Sequence, residues 1–199
     1  MLTQTHYPMV AGTNVKHDFV ELFSQINEKW SVEPEVLRTY AKHYQTGEVI
    51  PDNLIEKMQR SSYFNLGFET SELVAAALLD LRMHTIDDYS NFDCDLFEDE
   101  VRKELGFIPE IEYRYCSTNF AHVFSGGYAV GYYAYLWAEV LDCDAFELFK
   151  ERGLFDAETA ASFKLLLEMG GSKDPMREYV RFRGAEPNAD ALLRVRGLK

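Results

Sequence analysis

Along most of the chain apolar residues recur three and four positions apart, the spacing of helices that bury one face. The punctuation between these runs is helical too. Pro34, Pro51 and Pro175 each adjoin an acidic residue just ahead of an apolar-periodic run, as proline in a first helical turn does. Glycines 47, 67, 106 and 170 close such runs. The pattern predicts helices over Asp18–Trp30, Pro34–Gln45, Pro51–Phe64, Ser71–Ile86, Asp93–Leu105, Tyr128–Phe149, Asp156–Met169, Pro175–Phe182 and Ala189–Val195. Strict alternation occurs in Ile108–Tyr115 (IPEIEYRY), which is too short for more than a minor β ribbon or an extended connection. The first half of Ser71–Ile86 is apolar around most of its circumference, so this helix should be surrounded by protein and, with the Tyr128 helix, form the centre of the fold. No repeat, Ser-rich linker or shift in composition divides the chain. The expectation is all-α: a multi-helix bundle in which residues 1–199 make a single helical unit.

Composition adds exclusions. The 199 residues are 47% hydrophobic and 14% aromatic, the make-up of a folded globule and far from that of a disordered chain. With 33 Asp and Glu against 20 Lys and Arg, the net charge of -13 would repel a polyanion, which argues against nucleic acid and anionic membrane surfaces as partners. The first ten residues lack the continuous apolar region of a secretory signal, and no run approaches the length of a membrane span. Cys94, Cys116 and Cys143 are separated by 22 and 27 residues, neither an even disulfide framework nor a metal-binding pair. A soluble, cytoplasmic protein with free thiols is expected.

The chain offers few chemical motifs. Its histidines stand at 6, 17, 43, 84 and 122, so no two share a helical face one turn apart and a His-Glu-x-x-His zinc helix is absent. A nucleophile elbow, a phosphate loop and a dinucleotide fingerprint are absent as well. Two weaker constellations remain. Asp18-Phe-Val-Glu21 opens a helix and reads either as a capping pair or as a carboxylate, Glu21, aimed off the helix at a metal or substrate. In Phe120–Tyr135 (FAHVFSGGYAVGYYAY), Tyr128, Tyr132 and Tyr135 fall at i, i+4 and i+7 on one helical stripe, preceded by Gly126-Gly127 and His122. Such a stripe serves either as core or as a row of neutral donors, because a phenol with a pKa of about 10 stays protonated at neutral pH and donates to a developing oxyanion. His43 and His84 read as surface or core residues, Glu98–Glu104 as a charge run on a solvated helix face, and Arg181, Arg183, Arg194 and Arg196 as partners for acidic neighbours.

The stretches GTNVKHDFVELFSQINEKW (12–30), YAKHYQTGEVIPDNLIEKM (40–58), FNLGFETSELVAAALLDLRMH (64–84), FAHVFSGGYAVGYYAYLWAEVLDCDAF (120–146) and GGSKDPMREYVRFRGAEPNADALLRVRGL (170–198) resemble the C-terminal part of the thimet oligopeptidase and peptidyl-dipeptidase family of zinc metallopeptidases. The second and third look closest to its bacterial peptidyl-dipeptidase branch. The resemblance implies the C-terminal helical lobe of a catalytic domain that hydrolyses short peptides. It implies that Glu21 is the third ligand of one zinc ion, and that the histidine pair and its glutamate lie before Met1, on an N-terminal portion of the same enzyme. The segment departs from the family pattern at Phe23, where proline is usual. By the same resemblance His122 and Tyr128 contact substrate, Gly126 and Gly127 form an adaptable loop beside them, and Tyr132 and Tyr135 are candidates for the oxyanion donor, Tyr135 first. A chain beginning just after the catalytic helix is expected to be inactive alone, and to leave apolar surface near Phe19, Phe23 and the Tyr128 stripe for self-association. The competing expectation is a non-catalytic module that binds peptides or proteins and lacks the metal helix.

Overall fold

A computed structural model describes residues 2–199 of the chain. It contains ten α-helices and two 3-10 turns, and no β-strand among the described residues, as the periodicity requires. The helices are α1 (His17–Val32), α2 (Pro34–Tyr40), α3 (Asp52–Ser61), α4 (Leu66–Met83), α5 (Cys94–Glu104), α6 (Ala121–Phe124), α7 (Ala134–Arg152), α8 (Ala157–Glu168), α9 (Pro175–Arg183) and α10 (Asp190–Val195).

Several boundaries differ from the sequence pattern, each for a local reason. Helix α2 stops at Tyr40 instead of Gln45 because the next residues pair with themselves: Ile50 N–H donates to the Ala41 carbonyl at 2.9 Å, and Lys42 bridges Val49 in antiparallel fashion. Helix α4 begins at Leu66, earlier than Ser71, behind Asn65 in a left-handed conformation. The Ile108–Tyr115 ribbon does not form. Arg102 on α5 takes that segment instead, donating to the Ile111 carbonyl at 2.9 Å and to Glu112 at 3.0 Å, with its guanidinium over the Tyr113 ring. The expected Tyr128 helix begins only at Ala134.

Residues divide into two compact units. The first unites the chain up to Phe64 with Trp137–Lys199. Its core joins Phe19, Leu22 and Ile26, one face of α1, to Leu141, Ala145, Phe146 and Phe149 of α7 and to Phe163, Leu166, Tyr179 and Phe182. Burying a leucine or phenylalanine of this kind contributes about 1.5–3 kcal/mol each. Trp30 packs edge-on against Phe146 and Phe149, both at 4.7 Å, and its indole N–H donates to the Leu154 carbonyl at 3.1 Å. Phe19 is only 2% exposed, and Phe23 meets it edge-on at 5.5 Å and Phe163 at 6.0 Å. Phe19 therefore leaves no uncovered surface of the kind expected there, and Phe23 is half-buried, packed against the core. Arg183 reaches buried Asp144 at 3.3 Å, and the Tyr179 hydroxyl donates to the same carboxylate at 2.8 Å. Arg194 pairs with Glu147, Arg196 with Glu139 and Arg181 with Glu178.

The second unit is Asn65–Leu136, and α4 is its axis. One side of that helix, Ala75, Leu79 and Met83, packs with Tyr113, Phe92, Phe97 and Phe107. The other, with Ala76 and Leu73, packs with Phe120, Val123, Tyr132 and their aromatic neighbours. Two separate apolar clusters on one helix explain why its sequence lacks a polar face.

Candidate functional site

The second unit carries the histidine and tyrosines singled out by the sequence, on a loop that is held at both ends by buried or half-buried polar contacts. On the entry side Glu98 of α5 accepts from the Ser117 backbone N–H at 2.5 Å and from its hydroxyl, and Ser117 opens a 3-10 turn, Ser117–Asn119. Glu98 is thus no solvated charge: it anchors the approach to Phe120, which is buried, and to α6. A single turn such as α6 cannot persist by itself; Val123 fixes it in the core while His122 stays half-buried on its other side.

After α6 the chain reverses. Gly126 N–H donates to the Ala121 carbonyl at 2.8 Å and Tyr128 N–H to that of His122 at 3.0 Å. A Cβ on Gly126 would lie 2.8 Å from the His122 carbonyl oxygen, and Gly127 has φ +81°, so glycine is required at both positions for the turn to close this tightly. The next residues form successive turns, with Gly131 N–H on the Tyr128 carbonyl at 2.7 Å, and Val130 takes φ +57°. A β-branched residue avoids that region at a cost of about 1–3 kcal/mol, which the surroundings must offset. This left-handed residue is what delays α7 to Ala134.

Tyr128 and Tyr132 therefore do not share a helical stripe with Tyr135, yet the loop brings all three together. The Tyr128 and Tyr135 rings stack at 5.7 Å with 9° between their planes, and Tyr132 meets Tyr135 at 5.3 Å. The His122 ring lies 5.6 Å from Tyr132, 6.2 Å from Tyr128 and 6.3 Å from Tyr135, with Tyr115 at 5.3 Å on another side. Tyr132 is 3% exposed, and burial, helped by the neighbouring Tyr115, pushes its phenol well above the ordinary range. It therefore remains a proton donor across the physiological range. Chemically the cluster offers neutral donors and an imidazole around one ordered turn, suited to binding a peptide backbone or a developing oxyanion.

Glu21 lies on α1 in the first unit, half-buried, its carboxylate accepting from the Ser24 hydroxyl at 2.8 Å. Helix α1 starts at His17 with Lys16 as its cap, so Asp18 sits inside the first turn instead of at the cap position. Among the described residues no group of three or more His, Cys, Asp and Glu side chains is placed to hold a metal ion. A catalytic zinc needs three protein ligands and an open position, so the donor set found here does not by itself fit the ion.

Two residues of the site escaped the sequence reading. Glu98 was hidden in a charge run. Asp80, 1% exposed, is a carboxylate within the apolar stretch LLDLRMH, and it accepts from the backbone N–H groups of Val130 at 3.0 Å and Tyr132 at 2.9 Å. The signal was available: a lone acid inside an apolar helix must be paired.

The amino-acid sequence that builds this site matches the peptidase family M3 model over residues 1–198, and the chain belongs to that family. It is 43% identical over its full length to a dipeptidyl carboxypeptidase of Escherichia coli and 39% identical over its full length to an oligopeptidase A of the same species. It is 32% identical to saccharolysin of Saccharomyces cerevisiae, over 94% of the chain. The chain spans 30% of the length of both Escherichia coli proteins and 26% of saccharolysin. No described helix is long and apolar enough to cross a membrane.

Proposed function

We propose that the chain is the substrate-facing, C-terminal part of a peptidase that hydrolyses short peptides with zinc. The observation that carries this reading is the convergence of His122, Tyr128, Tyr132 and Tyr135 on one turn in a member of family M3. Tyr135 and Tyr132 act as donors to the tetrahedral oxyanion. His122 and Tyr128 hold the substrate backbone, and the Gly126-Gly127 turn brings main chain close to the peptide. Glu21 is the one zinc ligand this chain contributes. The remaining ligands come from an N-terminal portion carrying His-Glu-x-x-His, which is the chain's principal partner. Alone, the 199 residues are inactive, and free Cys94, Cys116 and Cys143 fit a reducing, cytoplasmic setting.

The test joins the chain to such an upstream segment, adds zinc and follows cleavage of a fluorogenic peptide. Cleavage should appear in the joined protein, and Tyr135→Phe should lower kcat by about 10²–10³, as loss of one oxyanion donor does. A folded, zinc-loaded protein that cleaves nothing overturns the assignment. Micromolar peptide binding by the unjoined chain, with no cleavage after joining, would favour a non-catalytic binding module.

A further inference from the structure

Val130 and Tyr132 donate their backbone N–H groups to different oxygens of one carboxylate, Val130 to Oδ1 and Tyr132 to Oδ2 of Asp80. Two amides two residues apart on one rigid acceptor leave the intervening peptide units little freedom. The carboxylate is itself fixed, being on the last turn of α4, 1% exposed, with His84 Nδ1 at 2.9 Å from Oδ1. Between the loop and the helix there is thus a continuous chain of contacts: His84, Asp80, then the backbone that bears Tyr132. The side chain of that residue touches Phe120 at 4.8 Å, His122 at 5.6 Å and Tyr135 at 5.3 Å. Any rotation of its backbone would move the centre of the aromatic cluster.

Val130 shows why a clamp is needed. Its φ of +57° is a conformation that valine leaves when nothing holds it. Relaxation at this residue would turn the following peptide and carry Tyr132 with it.

We propose that Asp80, seated by His84, is a positioning residue for the reaction: its carboxylate holds Val130 left-handed and so sets the direction in which Tyr132, and through it His122 and Tyr135, face the bound peptide. This rests on the reading of those side chains given above. Asp80 touches no substrate. Its effect should fall on kcat, where geometry matters, more than on KM.

Two measurements test it. In the full 199-residue chain, Asp80→Asn should speed hydrogen exchange at the Val130 and Tyr132 amides about tenfold or more, as expected for losing a hydrogen bond to a charged acceptor, while amides in the first unit keep their rates. In the enzyme joined to its upstream segment, the same variant should lower kcat about tenfold to a hundredfold with KM changed less than about threefold. Adding Val130→Gly should recover at least about fivefold of that loss, because glycine adopts a positive φ without a clamp. If Asp80→Asn does not fold, His84→Ala, which leaves the carboxylate but removes its support, should show intermediate exchange at the same two amides. Unchanged exchange at both amides, or a kcat loss that Val130→Gly does not recover, overturns the proposal. Tyr132→Phe separates it from the underlying reading. If Tyr132→Phe lowers kcat and Asp80→Asn does not, positioning is wrong; if neither matters although the amides are deprotected, the clamp stands and the role of the tyrosine fails.

Discussion

Asp142 in the first unit is a carboxylate with 2% of its side chain exposed, 3.0 Å from Lys29 Nζ and next to the thiol of Cys143. Burial pushes its carboxyl up to about 6, with Lys29 pulling the other way; burial also pushes the Cys143 thiol up to about 12, which makes it an unreactive, space-filling group. The sign for stability follows from proton binding. Between about pH 4 and 6 the folded state keeps a proton at Asp142 that the unfolded chain has lost, so this residue's contribution falls as pH rises through that window. The difference in unfolding free energy between the protein and Asp142→Asn should shrink by about 2 kcal/mol from pH 4 to pH 6. Urea melts at several pH values check this, and a difference that grows with pH would refute it. At this scale the sequence is a poor guide. Asp80, Glu98 and Asp142 look like other acids in a chain with 33 of them, and what sets each apart is a partner brought near by folding.

Helices were legible because each carries its own instructions. Asp93, Asp156 and Asp174 cap α5, α8 and α9 by accepting the backbone N–H of Leu96, Thr159 and Arg177, and the pattern of apolar positions starts its helices at or beside these acids, at Asp93, Asp156 and Pro175. Asp174→Ala should cost about 1 kcal/mol, the usual value of an N-cap, and lower the melting temperature without altering kcat in the protein joined to its proposed upstream segment. Thermal unfolding with a parallel activity measurement checks it. The ends that the pattern misplaced were decided elsewhere. Periodicity alone carries a helix back to Tyr128, but Val130 is bound to a carboxylate fifty positions earlier in the chain, and α7 begins only at Ala134. In the same way Ile108–Tyr115 alternates like a strand but is claimed by Arg102. Local propensity yields to a specific polar partner in both cases.

For the molecule as a whole, resemblance carried the functional reading further than composition. Charge argues against classes of partner, and the resemblance of segments of the chain to a peptidase family is what makes Glu21 and the tyrosines candidates for a site. In the segment that bears the clustered rings, the apolar side chains of Phe124, Val130 and Tyr133 are 55%, 44% and 49% exposed. Self-association through such exposed side chains is opposed by a net charge of -13, so it should strengthen as salt screens the repulsion. Light scattering at low and at about 0.15 M salt tests this, and a monomeric mass throughout a wide concentration range would refute it. The placement of Trp30 has an optical consequence. The chain's tryptophans, Trp30 and Trp137, both fall in the first unit, while the second holds tyrosines alone as its ultraviolet chromophores of note. Emission excited at the red edge of the indole band therefore follows the melting of one unit in the presence of the other, and tyrosine signal weights the unit that bears the clamp, so the two can be watched separately without attaching a label.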